Sequence, residues 1–380
     1  MPTIVHPFFT EFRTETRAMR EALAATESGR FDRVVFLAYG EGDFVRQETL
    51  APGVEVRRIA LKTVKGPRIF QRAVQFLFWT RAVGRSSSDL SPALVHAHSL
   101  ASLPASVSLA NRARVPLVYD AHELETERNV WPWPVRMIAK RVEAALMPSV
   151  DAVLSVAGRI VDHYRQSYPS STRRYLLVRN FPMRRWRPVD RPSPMRAALG
   201  IPEDDVVFLY LGAQGPNRGV ETILEVFQSA PPGRHAVFMG RGPLEGLIRE
   251  AAAKSPSIHL LPPVKGEDVL TWAAGADVGL ALFQGDALSH YYALPNKVLE
   301  ATSAGLPVIT SDFPEMRDFL TEHGAGWFVQ PTASSLEELL EGLSDDDIRS
   351  RRLKSVDSVP CWETESQQLI ALYDELLARS

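Results

Sequence analysis

In the segment ALPNKVLEATSAGLPVITSDFPEMRDFL (293–320), Pro295 is followed by Asn296, Lys297 and, three residues on, Glu300. Proline is tolerated in the first turn of a helix, and residues three apart share one helix face. A lysine placed there can reach a phosphate, and a carboxylate one turn later can accept hydrogen bonds from both hydroxyls of a ribose. The plainer alternative for the pair is a surface ion pair, which contributes little. A second basic residue, Arg218, lies in AQGPNRGVETILEVF (213–227), where glycines and a proline form a turn before a helix expected to begin near Gly219 or Val220. Free backbone N–H groups and the positive end of a helix dipole suit a phosphate. Arg218 would add a charge-assisted contact. Taken alone, this loop reads better as an ordinary strand-to-helix turn. The second glycine turn, GRGPLEGL (240–247), is equally weak by itself. In the first half His98 and His122 close two short apolar runs; histidine is also a common structural residue.

These residues need elements to hold them. VVFLAY (34–39), ALVHAH (93–98), PLVYDAH (116–122) and AVLSVA (152–157) are short, apolar and bounded by polar or turn residues, as buried parallel strands are. Helical patterns lie between them, at Leu100 to Arg112 and Val135 to Met147. After a proline-rich stretch (183–200) the alternation restarts with VVFLYLG (206–212), AVFMG (236–240), IHLLPP (258–263), ADVGLALF (276–283) and LPVITS (306–311). Strand–helix alternation implies doubly wound parallel sheets. The expected fold class is α/β, with an N-terminal domain at 1–182, a linker at 183–200, a C-terminal domain at 201–360 and a closing helix at 361–380. Ligands of open parallel sheets sit beyond the carboxyl ends of the strands, so the residues after each strand are the candidates, in a cleft expected where the two sheets face each other.

Composition sets bounds. The chain has 380 residues, 45% of them hydrophobic and 23% charged, enough for two cores. Its single cysteine, Cys361, excludes an intramolecular disulfide and fits a reducing compartment. No apolar run approaches the roughly 18 residues of a membrane span, and the first residues lack a secretory pattern; the expected setting is cytoplasmic. Residues 1–190 hold 28 Lys plus Arg against 18 Asp plus Glu, and the remainder 15 against 27. Opposite signs suggest halves that face different partners or each other. The run LKTVKGPRIFQRAVQFLFWTRAVGR (61–85) interleaves basic residues with Phe70, Phe76, Phe78 and Trp79 and has no acid. Two readings stay open: peripheral contact with the inner face of a membrane, and a partly buried helix with snorkelling basic stems. Nucleic acid is not expected as a partner.

The combined motifs are specific. PNK, then Glu300, then SAGLPVIT and the DFPE turn, in order after GPNRG and GRGPL, resemble the donor-binding signature of glycosyltransferase family 4, the retaining enzymes of GT-B fold. Those matches run in the family's order over most of the C-terminal half, and VHAHSL and LVYDAHE (117–123) resemble the N-terminal half of the same family. The resemblance implies a retaining transfer from a nucleotide-diphosphate sugar to an acceptor hydroxyl, in polysaccharide, glycolipid or secondary-metabolite assembly, without a cofactor and with no metal required. It implies catalytic roles for His122, Arg218 and Lys297. Donor contacts are implied at Gly215, Pro216, Asn217, Gly240, Gly242, Pro263, Val264, Tyr292, Leu294, Pro295, Asn296 and Glu300. Acceptor contacts are implied at Phe9, Arg17, His98, Ser99 and Glu123. The family usually carries a glutamate where Tyr292 stands, often an arginine within the stretch occupied by Gly212, Ala213 and Gln214, and frequently an aspartate at the position of Ser99. Alternatives are a nucleotide-sugar 2-epimerase of the same architecture, for which no convincing acid and base carboxylates are found, and a non-catalytic nucleotide-sugar-binding subunit. An NAD-dependent dehydrogenase is disfavoured, since no GxGxxG follows a first strand.

Overall fold

A computed structural model describes residues 2–13, 15–41, 43–61, 67–127, 131–187, 193–285, 287–352 and 358–379. Residues 62–66 of the basic–aromatic run and 188–192 of the expected linker lie outside them. The chain divides into two compact units, Met1–Arg179 with Thr364–Ser380, and Asn180–Glu363.

The first unit is built on an eight-stranded sheet. Its strands are β1 (Thr3–Pro7), β2 (Arg33–Gly40), β3 (Gln47–Ala51), β4 (Val54–Ala60), β5 (Pro92–His98), β6 (Leu117–Ala121), β7 (Ala152–Ser155) and β8 (Arg174–Leu177). They run in the order β3-β4-β2-β1-β5-β6-β7-β8, all parallel except the β3–β4 pair. The helices are α1 (Thr16–Glu27), α2 (Arg68–Ser86), α3 (Ser99–Ala113), α4 (Trp133–Leu146) and α5 (Gly158–Ser167). β1, β5, β6 and β7 bury nearly every residue, and β2 all but its first, because helices cover both faces of a parallel sheet. The edge pair β3–β4 is half exposed and lacks that apolar run, so pattern reading passes over it.

The second unit carries six parallel strands: β9 (Val206–Leu211), β10 (Arg234–Met239), β11 (Ile258–Leu261), β12 (Val278–Ala281), β13 (Val308–Ser311) and β14 (Gly326–Val329). Their order is β11-β10-β9-β12-β13-β14. Its helices are α6 (Met195–Leu199), α7 (Val220–Phe227), α8 (Glu245–Lys254), α9 (Val269–Ala273), α10 (Leu288–Tyr291), α11 (Asn296–Ser303), α12 (Pro314–Glu322), α13 (Ala333–Gly342) and α14 (Asp345–Arg351). The core joins the apolar faces of β9, β10, β12, α7, α8 and α13. Part of the proline-rich stretch is structured: α6 lies within it and buries Met195. The acidic run Asp345–Asp347 opens α14 behind a capping box on Ser344.

The last helix, α15 (Trp362–Ala378), is counted from Thr364 onward with the first unit. There Leu369, Leu372, Tyr373 and Leu376 are buried. The Tyr373 hydroxyl bonds His96 Nδ1 at 2.8 Å, and Arg179 N donates to Glu365 at 2.8 Å. No described helix is long and apolar enough to cross a membrane.

Candidate active site

In the second unit the strand order reverses at β9, flanked by β10 on one side and β12 on the other. That reversal is where an open α/β sheet binds ligands. The loop leaving β9 is shaped by backbone packing. Gln214 N donates to Arg241 O at 2.9 Å and Leu244 N to Gln214 O at 3.1 Å. A Cβ on Gly240 would lie 2.0 Å from Gly212 O, and one on Gly242 2.2 Å from Gln214 O. Both glycines therefore let two loops touch, a requirement invisible in a glycine turn read alone. Asn217 and Gly219 take positive φ, 61° and 77°, and Gly219 caps α7 at its amino end. Arg218 sits between them.

Pro295 caps α11 in extended conformation, and Gly305 (φ 85°) ends the helix before β13. Lys297, the second residue of α11, turns inward and is 7% exposed. Its Nζ stands 3.4 Å from the centre of the Tyr210 ring and 5.2 Å from that of Phe283. These ring faces attract a cation. The ammonium nevertheless has no hydrogen-bond partner among the described residues. Burial pushes its pKa well below the ordinary lysine value, the positive charge of Arg218 pushes it further, and Glu300 only partly opposes them. A buried amine and a half-buried guanidinium thus act on each other without a bonded anion, and burial holds back the charge of the amine.

Around this point the residues differ. Glu300 and Tyr292 are half-buried; Asn296 is exposed and its Oδ1 accepts from Asn180 at 2.9 Å. Leu294 is buried in the core, while Pro263 is exposed and Val264 half-buried. Gly215 has ordinary space beside Arg218, and Pro216 is exposed. One residue that pattern reading passed over is Gln214. Its side chain is fully buried and neither its Nε2 nor its Oε1 is bonded among the described residues. Its signal was its place in the stretch after β9 where the family often carries an arginine.

The first unit gathers charge and imidazoles at the carboxyl ends of β1, β5 and β6. Arg17 donates from Nε and Nη2 to both oxygens of Asp120 (2.8 and 3.0 Å) and from Nη1 to Val178 O (2.9 Å). Its Nε also lies 3.1 Å from Glu21. Burial favours protonated carboxyls, but Arg17 outweighs it at Asp120, which is held well below the usual carboxylate range. Glu21 is raised by burial and by Asp120. Asp120, an acid inside an apolar strand, is the residue the sequence reading missed. It faces His122 Nε2 at 3.1 Å and so fixes the orientation of that ring.

His98 Nδ1 lies 3.1 Å from His122 Nε2, and His98 Nε2 lies 2.8 Å from His6 Nδ1. Burial lowers His98 to about 4 and lowers His6 and His96 well below the ordinary histidine value, so these three rings are neutral. They stack: His96 on His98 at 13° and His6 on His98 at 20°. Nitrogens of His6, His96 and His98, like those of His96 and His98 with the carboxylates of Glu21 and Asp120, are close enough together to suggest an ion site. Near-parallel stacked rings cannot all hold one ion in their planes, so the stack does not fit a shared metal.

Arg17 and His98, both expected on the acceptor side, are buried, with their polar atoms turned to neighbours in the same unit. His122, its side chain 30% exposed, is the histidine of this cluster that reaches the surface. Ser99 begins α3 with a positive φ of 63°, a strained position for a non-glycine residue. Glu123 is half-buried; Phe9 packs against Tyr39, Phe76 and Trp79.

Two doubly wound units with these ends are what a sugar-transferring enzyme of GT-B architecture presents, and comparison with known proteins agrees. Residues 13–180 match the family model "Glycosyl transferase 4-like domain", and residues 193–356 match "Glycosyl transferases group 1". The chain belongs to the GT-B glycosyltransferases of the family 4 type. D-inositol 3-phosphate glycosyltransferase of Geodermatophilus obscurus is 26% identical over 355 residues, 85% of this chain and 76% of that protein. Among solved structures, sucrose-phosphate synthase from Thermosynechococcus elongatus superposes with a TM-score of 0.81 at 18% identity, covering both chains fully. HepE of Anabaena, solved with UDP-glucose, gives 0.72 at 14% identity over 99% of this chain and 100% of that one.

Proposed function

We propose that this glycosyltransferase moves a sugar from a nucleotide-diphosphate sugar to an acceptor hydroxyl with retention of anomeric configuration. The observation that carries the reading is the buried, unbonded Lys297 ammonium beside Arg218, at the amino end of α11 and the loop before α7. A diphosphate would supply the missing negative charge, and the likeness to a protein solved with UDP-glucose supports the same ligand class. Glu300 would accept from the ribose hydroxyls. Half-buried Tyr292, Gln214 and the backbone near Pro295 would line the donor.

Chemistry follows from where charge develops. As the bond from the anomeric carbon to the diphosphate oxygen breaks, the leaving group gains charge that Lys297, Arg218 and the backbone N–H groups stabilise in place. The acceptor oxygen bonds the same face of that carbon, and its proton passes to the departing diphosphate. His122, oriented by Asp120, hydrogen-bonds the reacting sugar. In this scheme two fixed cations replace a metal ion. The acceptor belongs to polysaccharide, glycolipid or secondary-metabolite assembly, with peripheral lipid contact through the exposed part of residues 61–85.

The test is turnover with a panel of nucleotide sugars and acceptor extracts, followed by NMR of the product in the presence of a chelator. Retained configuration and undiminished rate are expected. An inverted product, or activity abolished by chelation and restored by a divalent cation, contradicts the mechanism.

A further inference from the structure

Helix α3 packs against both α2 and α4, so the three form one layer over the sheet of the first unit. Nine large apolar side chains are exposed among the described residues, and six of them lie on α2 and α4. On α2 the exposed stripe runs Phe70, Ala73, Leu77, Arg81, at helical spacing. On α4, Trp133 (70% exposed), Val135, Ile138 (62%) and Val142 point outward. Such clustering exceeds the scattered exposure normal for a surface.

The charge on this layer has one sign. α2 and α3 contain no acid, and α4 contains only Glu143. That carboxylate is buried, accepting hydrogen bonds at 2.9 Å each from Tyr119, Tyr164 and Tyr168. Glu127, just before α4, is buried too and pairs with Arg136 and Lys140. Outward stand Arg81, Arg85, Lys140 and Arg141. A second copy of this face would meet it with like charge, which opposes association. An anionic, partly apolar surface complements it, with Trp133 suited to the level of lipid headgroups.

We propose that the outer face of α2 and α4 docks on a membrane surface bearing anionic phospholipid headgroups, with Trp133 and Ile138 as its apolar anchors. The docking extends the lipid contact of the basic–aromatic run to α4, which sequence reading did not single out. It stands apart from the nucleotide-sugar reading, because neither helix carries a residue of the donor site.

Flotation of the full chain with vesicles tests it. Wild type should float with phosphatidylcholine vesicles containing phosphatidylglycerol, not with phosphatidylcholine alone, and should be released by salt. The pair Trp133→Ser with Ile138→Ser, and separately Lys140→Glu with Arg141→Glu, should each weaken binding about tenfold or more. Nucleotide binding and circular dichroism should stay unchanged, and Val45→Ser, an exposed apolar control, should float normally. Wild type that ignores anionic vesicles, α4 variants that float as well as wild type, or a dimer that Ile138→Ser dissociates would overturn the proposal.

Discussion

Arg17 faces two buried carboxyl groups, and one guanidinium cannot hold both ionised. Its bidentate contact goes to Asp120, so Asp120 carries the charge and Glu21 the proton. Replacing Arg17 by leucine would leave Asp120 buried without its partner, a loss of about 3–5 kcal/mol at neutral pH for such pairs. The folded pKa of Asp120 lies below its unfolded value of about 3.9. Its stabilisation is therefore full above that unfolded value and disappears as pH falls through the folded one. Urea melts of Arg17→Leu should show the full deficit at pH 7 and a shrinking one in acid; a pH-independent deficit would contradict this ionisation. Sequence made His98 legible as a polar residue at a strand end and Arg17 only through the family resemblance. It could not tell a ligand contact from a buried partner, because both demand the same residue types.

At the scale of elements, strands buried on both faces were readable as apolar runs, as β2, β5, β6 and β9 show. β14 was missed because GWFV is short and opens with glycine. Glycine roles were the least legible feature. Gly242 takes no strained φ, yet a Cβ there would meet the backbone of the neighbouring loop. Gly242→Ala must push apart the loops after β9 and β10, and overpacking of this kind costs about 1–3 kcal/mol. Chemical denaturation is expected to show that loss together with weakened nucleotide binding, since the same loop carries Arg218. Unchanged stability would mean that the loops separate freely.

The C-terminal segment from Thr364 onward belongs to the first unit. Within it Tyr373 is wholly buried and bonded to His96 of the histidine stack, a contact that sequence reading did not reveal. Tyr373→Ala should cost about 3–5 kcal/mol, in the unfolding transition of the first unit rather than the second. Amide exchange resolved by segment would locate it: faster exchange confined to Asn180–Glu363 would refute this assignment.

The central claim is that Lys297 and Arg218 await a diphosphate. Titration calorimetry of UDP against wild type, Lys297→Ala and Arg218→Ala, with Asp346→Ala as control, tests it most directly. An anion raises the depressed Lys297 pKa, so binding should take up a proton and weaken as pH rises through the ligand-free value. The account predicts lost affinity in both basic variants, an intact control and proton uptake that vanishes in Lys297→Ala; undiminished affinity in Lys297→Ala and Arg218→Ala would contradict it.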